Sequence, residues 1–284
     1  MACSAVTLSV ATIAAVLALA CLAISFGTDN WLETRVNRTA IRTQLQRDTD
    51  EYRAYETKPE YFSRDQGLFR LCFPDKKPKG VETFMSPVQT DCINVNYYIP
   101  EDETSDGFTE QRWERLHMAR SVVALFIISF FFAFLSFFTG IAGCWKRSNS
   151  NIIATGLLQI LAALTVAGAM GLWHGVEYYD FKKLHDHMSV YNWPAVLRRK
   201  GVTEFSYGWS YMLAWAGVGA SLLTGILFLA SARCLRREKK ADQAKNMQYL
   251  MPVYPDKRQP PYGYAAYPGP YAYHHGSQYG PYGY

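Results

Sequence analysis

Few side chains in this sequence have the type and spacing that chemistry needs. His185 and His187 stand two apart in "HDH", where a strand would put both imidazoles on one face. No other ligand lies at zinc spacing from them, so a polar loop surface accounts for the pair. Glu177 and Asp180 sit three apart on a helical face, as a solvated helix end would have them. The acidic run "EDETSD" at 101–106 could attract a cation, but it lacks the spacing and glycine of a calcium loop. No phosphate-binding glycine loop, Ser-His-Asp set or metalloprotease motif stands in a suitable context. The sequence therefore predicts a protein that is not an enzyme and has no cofactor or metal site.

The remaining reactive groups are six cysteines. What they can do depends on which compartment each one meets. The chain is 284 residues long and 49% hydrophobic, and its apolar residues are gathered into long runs at about 5–28, 121–144, 152–174 and 208–232. None of these runs holds an Asp, Glu, Lys or Arg. A helix needs about 20 mostly apolar residues to cross a bilayer, so each run is long enough to span. The first run could instead be a secretory signal with "ALACLA" near its cleavage site. It lacks a basic n-region, however, and is longer than a signal core, so an uncleaved span is expected.

Basic residues set the orientation. "CWKRSNSN" follows the second run and "ARCLRREKK" follows the fourth, which predicts that both ends face the cytoplasm of a multi-pass plasma-membrane protein. Loops 29–120 and 175–207 then lie outside, the first richer in acids than bases. The net charge of +5 is a sum over two compartments and implies no nucleic-acid partner. The juxtamembrane "RREKK" favours anionic membrane lipid.

On this topology Cys72 and Cys92 are the two cysteines outside, where an oxidising environment favours their pairing. Cys3, Cys144 and Cys234 lie where the inner leaflet meets water, as S-palmitoylation would require. They are equally well read as small apolar residues in a reducing compartment. Cys21 is within the first span. Asn37 heads the sequon "NRT" in the outer loop, an N-glycosylation candidate.

The apolar cluster in "QGLFRLCF" (66–73) and the strand-like "CINVNYYI" suit a half-buried pleated surface. A small sheet pinned by Cys72 and Cys92 and seated on the helix ends would bury the cluster. Leu68 and Phe69 could alternatively dip toward lipid or a partner. In the fourth span Gly217, Ser221 and Gly225 stand four apart, and in the third Gly168 and Gly171 stand three apart. Both sets are expected to pack inside the bundle, with a partner helix as the alternative. The second span, "LFIISFFFAFLSFF", carries phenylalanine on every face, so part of it meets lipid or other helices. The spans hold no ionisable residue except His174 at an outer edge, which argues against a transporter. Trp31, Trp173, Tyr207, Trp209 and Trp145 read as an interfacial aromatic belt.

Trp31 in "TDNWLE", Gly67-Leu68-Phe69, the two cysteines and Arg120 in "LHMARSV" together resemble the loop signature of the claudin and peripheral-myelin-protein superfamily. "GLFRLC", "SNIIATG" and "FSYGWSYMLAW" look most like the branch of voltage-gated calcium-channel gamma subunits and AMPA-receptor auxiliary subunits. Phe69 stands where that family usually has Trp, and the stretches 36–63 and 180–203 are longer than in a typical claudin. The resemblance implies a mainly α membrane protein, a left-handed four-helix bundle with a small disulfide-pinned extracellular β-sheet, over residues 1–234. It further implies an auxiliary subunit bound to ion channel or receptor subunits; the alternative is a junction or adhesion protein with claudin-like self-association. Residues 235–284, rich in Tyr, Gly and Pro, are expected to form a disordered tail, and its end, "PYGY", departs from PDZ ligands.

Overall fold

A computed structural model describes residues 2–46, 49–86, 91–98, 109–184 and 193–250. The helices α1 (Ala2–Gly27), α4 (Glu110–Trp145), α5 (Asn149–Lys182) and α6 (Trp209–Leu250) carry the four apolar runs, and each is long and apolar enough to cross a membrane. Three of them overrun the bilayer thickness. The extra turns of α4 and α5 project together at the sheet end, where Arg115 grips Asp180 with Nε–Oδ1 and Nη2–Oδ2 distances of 2.9 and 3.0 Å.

α6 continues past residue 234 to Leu250, which corrects the expectation of a tail beginning at 235. The stretch "RCLRREKKADQAKNMQYL" is made largely of strong helix formers, and Pro252 is the first breaker after it. The compact unit runs Met1–Ala241; Asp242–Tyr284 is a second unit, of which the described residues are the last turns of α6.

Between α1 and α4 the chain forms β1 (Leu32–Val36), α2 (Arg38–Arg42), α3 (Asp50–Thr57), a 3₁₀ turn (Pro59–Tyr61), β2 (Arg64–Gln66), β3 (Arg70–Phe73) and β4 (Asp91–Asn94). Between α5 and α6 it adds β5 (Thr203–Tyr207). The strands make one antiparallel sheet in the order β4-β3-β2-β1-β5. Leu71 and Phe73 of β3 share one face, as the two-residue strand period dictates. Leu71 and Phe73 join Val36, Tyr61, Phe62 and Trp193 under α2 and α3. Neither of these short helices was expected from the sequence. Each is started by a side-chain cap: Asn37 accepts from the Ala40 N–H, and Thr49 from the Tyr52 N–H.

The bundle has a core of its own at the sheet end, made of Trp31, Leu68, Val122, Phe126, Met170, Trp173 and neighbours. Leu68 comes from the β2–β3 turn, so the sheet contributes directly to the packing of the helices. A smaller cluster of Ala11, Ile152, Phe228, Ala232 and Leu235 joins α1, α5 and α6 at the opposite end.

Candidate functional site

The turn Gly67-Leu68-Phe69 is where sheet and bundle meet. Gly67 presses against the chain leaving α1: a Cβ on it would lie 2.6 Å from Asp29 Cα and 2.9 Å from the Thr28 carbonyl oxygen. Only glycine fits that approach. Leu68 is 1% exposed in the bundle core, and the Phe69 ring meets Phe26 edge-on at 5.0 Å. The reading in which Leu68 and Phe69 dip into lipid is thus replaced by packing on the helix ends. Arg120 of α4 donates from Nε to the Tyr97 carbonyl at 2.8 Å, and the Tyr97 hydroxyl donates to the Leu68 carbonyl. Arg120 therefore holds the turn from below through one intermediary. Arg70 completes the seat, with Nε donating to Asp29 Oδ1 and Nη2 to the Gly27 carbonyl, both at 2.8 Å.

Trp31 is fully buried, and its Nε1–H donates to the Ser25 carbonyl at 2.8 Å. Its ring lies among Trp173 at 5.2 Å, Phe126 at 5.7 Å and Tyr211 at 6.3 Å. Trp31 and Trp173 are therefore core residues, which corrects the aromatic-belt reading for both; Trp209 and Trp145 are exposed as that reading has them. The indole N–H supplies the reason: next to Ser25 it finds the partner that a buried tryptophan needs.

Cys72 and Cys92 lie directly opposite each other on β3 and β4 and form a disulfide with a sequence separation of 20. Asp29 comes within 4.8 Å of both sulfurs. With the sulfurs bonded to each other this trio offers no thiolate to a cation, and Asp29 is already taken by Arg70.

At the outer rim of α5 the structure gathers polar groups that sequence reading treated as solvated. Glu177 is buried; its Oε1 accepts from Trp173 Nε1 at 2.7 Å, and its Oε2 accepts from the Tyr207 hydroxyl at 2.9 Å. His174 lies 3.2 Å from Glu177 through Nδ1 and 2.9 Å from the Tyr211 hydroxyl through Nε2. Tyr207 and Tyr211 stack at 4.3 Å. Burial, helped by the bond to Glu177, pushes the Tyr207 phenol up to about 12, so it stays a donor at any physiological pH. The cluster ties β5 to α5 and α6. The helix-end reading of Glu177 and Asp180 is corrected for both, since Asp180 is clasped by Arg115.

The two sets of small residues have different fates. Gly217 and Gly225 are buried against neighbours: a Cβ would meet Leu22 Cδ2 at 2.6 Å and Ile160 Cγ1 at 2.6 Å respectively. Ser221 between them is 2% exposed. Gly168 and Gly171, expected inside as well, face outward; a Cβ on Gly168 would touch only Leu125 at 3.8 Å, and one on Gly171 nothing within 4 Å. They continue an exposed stripe of α5 through Leu157, Leu161 and Leu164. Phe131, Phe134, Phe137 and Phe138 of α4 are likewise exposed, while Phe126 is in the core.

Asn37 is exposed, and its amide oxygen caps α2. Cys144 is a free, exposed thiol and Cys21 is free and half-buried. Cys234 is disulfide-bonded in this structure. The side chain of Cys3, the His185–His187 pair, the 101–106 acidic run and the tyrosine-rich stretch after 250 lie outside the described residues.

Sequence reasoning missed the polar latch at the top of the bundle. Asn30 Oδ1 accepts from the Trp209 N–H at 3.0 Å, and Ser25 donates to the Ser210 carbonyl at 2.7 Å. Gly208 runs so close to Asn30 that a Cβ would sit 2.1 Å from Asn30 Oδ1. The signal was the Gly-Trp-Ser run opening the fourth span, a backbone approach followed by a small hydroxyl. Four spanning helices, the seated antiparallel sheet and its disulfide are the features of a claudin-like tetraspan protein. A family model described as PMP-22/EMP/MP20/Claudin tight junction matches residues 16–230, most of the chain, and the protein belongs to that family.

Proposed function

We propose that this multi-pass membrane protein is a non-enzymatic auxiliary subunit. In this reading it binds the periphery of an ion channel or ionotropic receptor in the plasma membrane and biases its gating or surface delivery. The observation that carries this reading is the outward-facing stripe of α5. Leu157, Leu161 and Leu164 lead into Gly168 and Gly171, so the helix presents ridges at one end and a flat small-residue surface at the other. In lipid, where burying apolar surface drives little association, close backbone approach at small residues is what holds helices together. The matching surface on α6, Gly217 to Gly225, is consumed inside the bundle, whereas that of α5 is open to a partner. A subunit of this kind shifts a channel's equilibrium by as much as its affinities for the two gating states differ.

Both termini are assigned to the cytoplasm by the basic residues after α4 and on α6, which leaves the sheet and the Asn37 sequon outside. A junction protein is the second reading. It is favoured by β5, an edge strand that among the described residues has no strand on its outer side, where another copy could pair.

Expression with and without candidate channels separates the two. An auxiliary subunit copurifies with a channel in mild detergent and changes its currents. A junction protein concentrates where two expressing cells touch and raises paracellular resistance with no channel present.

A further inference from the structure

At the end of the bundle away from the sheet, α1 and α4 part and leave a cavity of about 460 Å³. It is walled by Ala15 and Leu19 of α1, by Phe137 and Gly140 of α4, and by Phe228 of α6. Thr155 and Gln159 of α5 form its floor. An apolar void of about 150 Å³ already takes up benzene, and this one falls in the size range of ligand pockets. Within a bilayer the void is filled by whatever the membrane supplies. Several of the polar groups that line it are already bonded within the bundle. Gln159 donates to Ser136 at 2.9 Å, Ser136 donates to the Ala133 carbonyl at 2.8 Å, and Thr155 shares a 2.9 Å bond with Thr139. An unbranched hydrocarbon meets the remaining requirement, which is shape.

The link from α4 to α5 next to the cavity is basic. Cys144 and Trp145 line the cavity, and the next residues, Lys146 and Arg147, are exposed and enter no ion pair among the described residues. Arg147 turns the chain with φ 45°, and α5 starts two residues later with Ser148 as N-cap, whose hydroxyl caps no N–H. The positive end of the α5 dipole therefore faces the same spot as both cations.

We propose that this cavity is a binding site for one anionic phospholipid. An acyl chain lies between α1 and α4, and the phosphate-bearing headgroup rests on Lys146, Arg147 and the first turn of α5. The lipid then completes the bundle at the end that the sheet does not brace.

The test uses the full chain in nanodiscs holding equal amounts of phosphatidylserine and phosphatidylcholine. One of the two at a time carries a diazirine on its acyl chain, and labelled peptides are mapped by mass spectrometry. Two basic side chains beside the cavity give phosphatidylserine an advantage of up to roughly thirtyfold in labelling Ser136, Gly140 and Thr155, with no such preference at Phe131 and Phe134. In Lys146→Gln/Arg147→Gln the preference at the cavity falls to parity. In Gly140→Phe labelling of Ser136 and Thr155 is lost while that of Phe131 persists. Equal labelling by the two lipids in the unaltered protein, or cavity labelling no stronger than that of the Phe131–Phe134 face, overturns the proposal. The lipid ratio in the unaltered protein decides it even where a variant folds poorly.

Discussion

Gly67 and Asp29 touch backbone to backbone: a single methyl group on Gly67 would come within 2.6 Å of Asp29 Cα. This contact locks the β2–β3 turn onto the end of α1 and sets the height at which the sheet sits. Gly67→Ala must move backbone on one side, and overpacking of this kind costs about 1–3 kcal/mol. Thermal unfolding of the purified protein is expected to show that loss, while Gly80→Ala serves as a contrast. Gly80 has a positive φ of 82° and nothing within 4 Å, so its strain is local and leaves the seat intact.

Removing the disulfide weakens the sheet domain without dissolving the bundle. Cys72→Ser/Cys92→Ser reopens a loop with a separation of 20 residues, which on the chain-entropy estimate costs about 3 kcal/mol. Proteolysis of intact membranes should cut between β3 and β4 far faster in the double variant, with the helices still protected. Equal cleavage rates would show that the bridge is not what pins β4.

Trp31→Ala is expected to be among the most damaging single changes, at about 3–5 kcal/mol. Trp31→Phe keeps much of the ring contact with Trp173 and Phe126 but takes the shorter of two donors from the Ser25 carbonyl, leaving the Thr28 hydroxyl at 3.4 Å. It should fall between Trp31→Ala and the unaltered protein, losing about 0.5–1.5 kcal/mol for the indole hydrogen bond in addition to lost volume. An interfacial anchor at this position would tolerate Phe with little change, so the series distinguishes core from belt.

Asp65 gives the sheet domain an unusual pH slope. It is buried 2.7 Å from Arg35 Nη1, and the cost of burial outweighs the guanidinium's pull, raising its carboxyl above the ordinary 3.8. An acid whose folded-state value is raised binds its proton more tightly when folded. Its contribution is therefore most favourable at low pH and declines as pH rises from 3.8 to the raised value, then stays flat. The stability of the unaltered protein relative to Asp65→Asn should fall across that window. A relative stability that rises there would mean that the Arg35 pair dominates.

The spans and the paired cysteines were legible because each rests on a strong local rule, an uncharged run of bilayer length or two cysteines in one compartment. The seat was half legible. Gly67, Leu68 and Arg120 stand out as a pattern, but that Arg120 works through Tyr97 depends on a loop whose path no periodicity reveals. α2 and α3 escaped notice because five and eight residues are too few for a helical period to show. Trp31 and Trp209 look alike in sequence, each beside a span, yet one is buried with its N–H on the Ser25 carbonyl and the other is half exposed. The outward turn of Gly168 and Gly171 was equally hidden, since a small-residue pair does not say which way its helix faces.

The central claim is that the α5 stripe docks a foreign helix in the membrane. Placing a photo-crosslinking amino acid at Gly171 in living cells and identifying what it captures tests it most directly. The account predicts a pore-forming channel or receptor subunit, with capture lost when Gly168 is replaced by Leu. Capture of lipid alone, or of other copies of this chain alone, would contradict it.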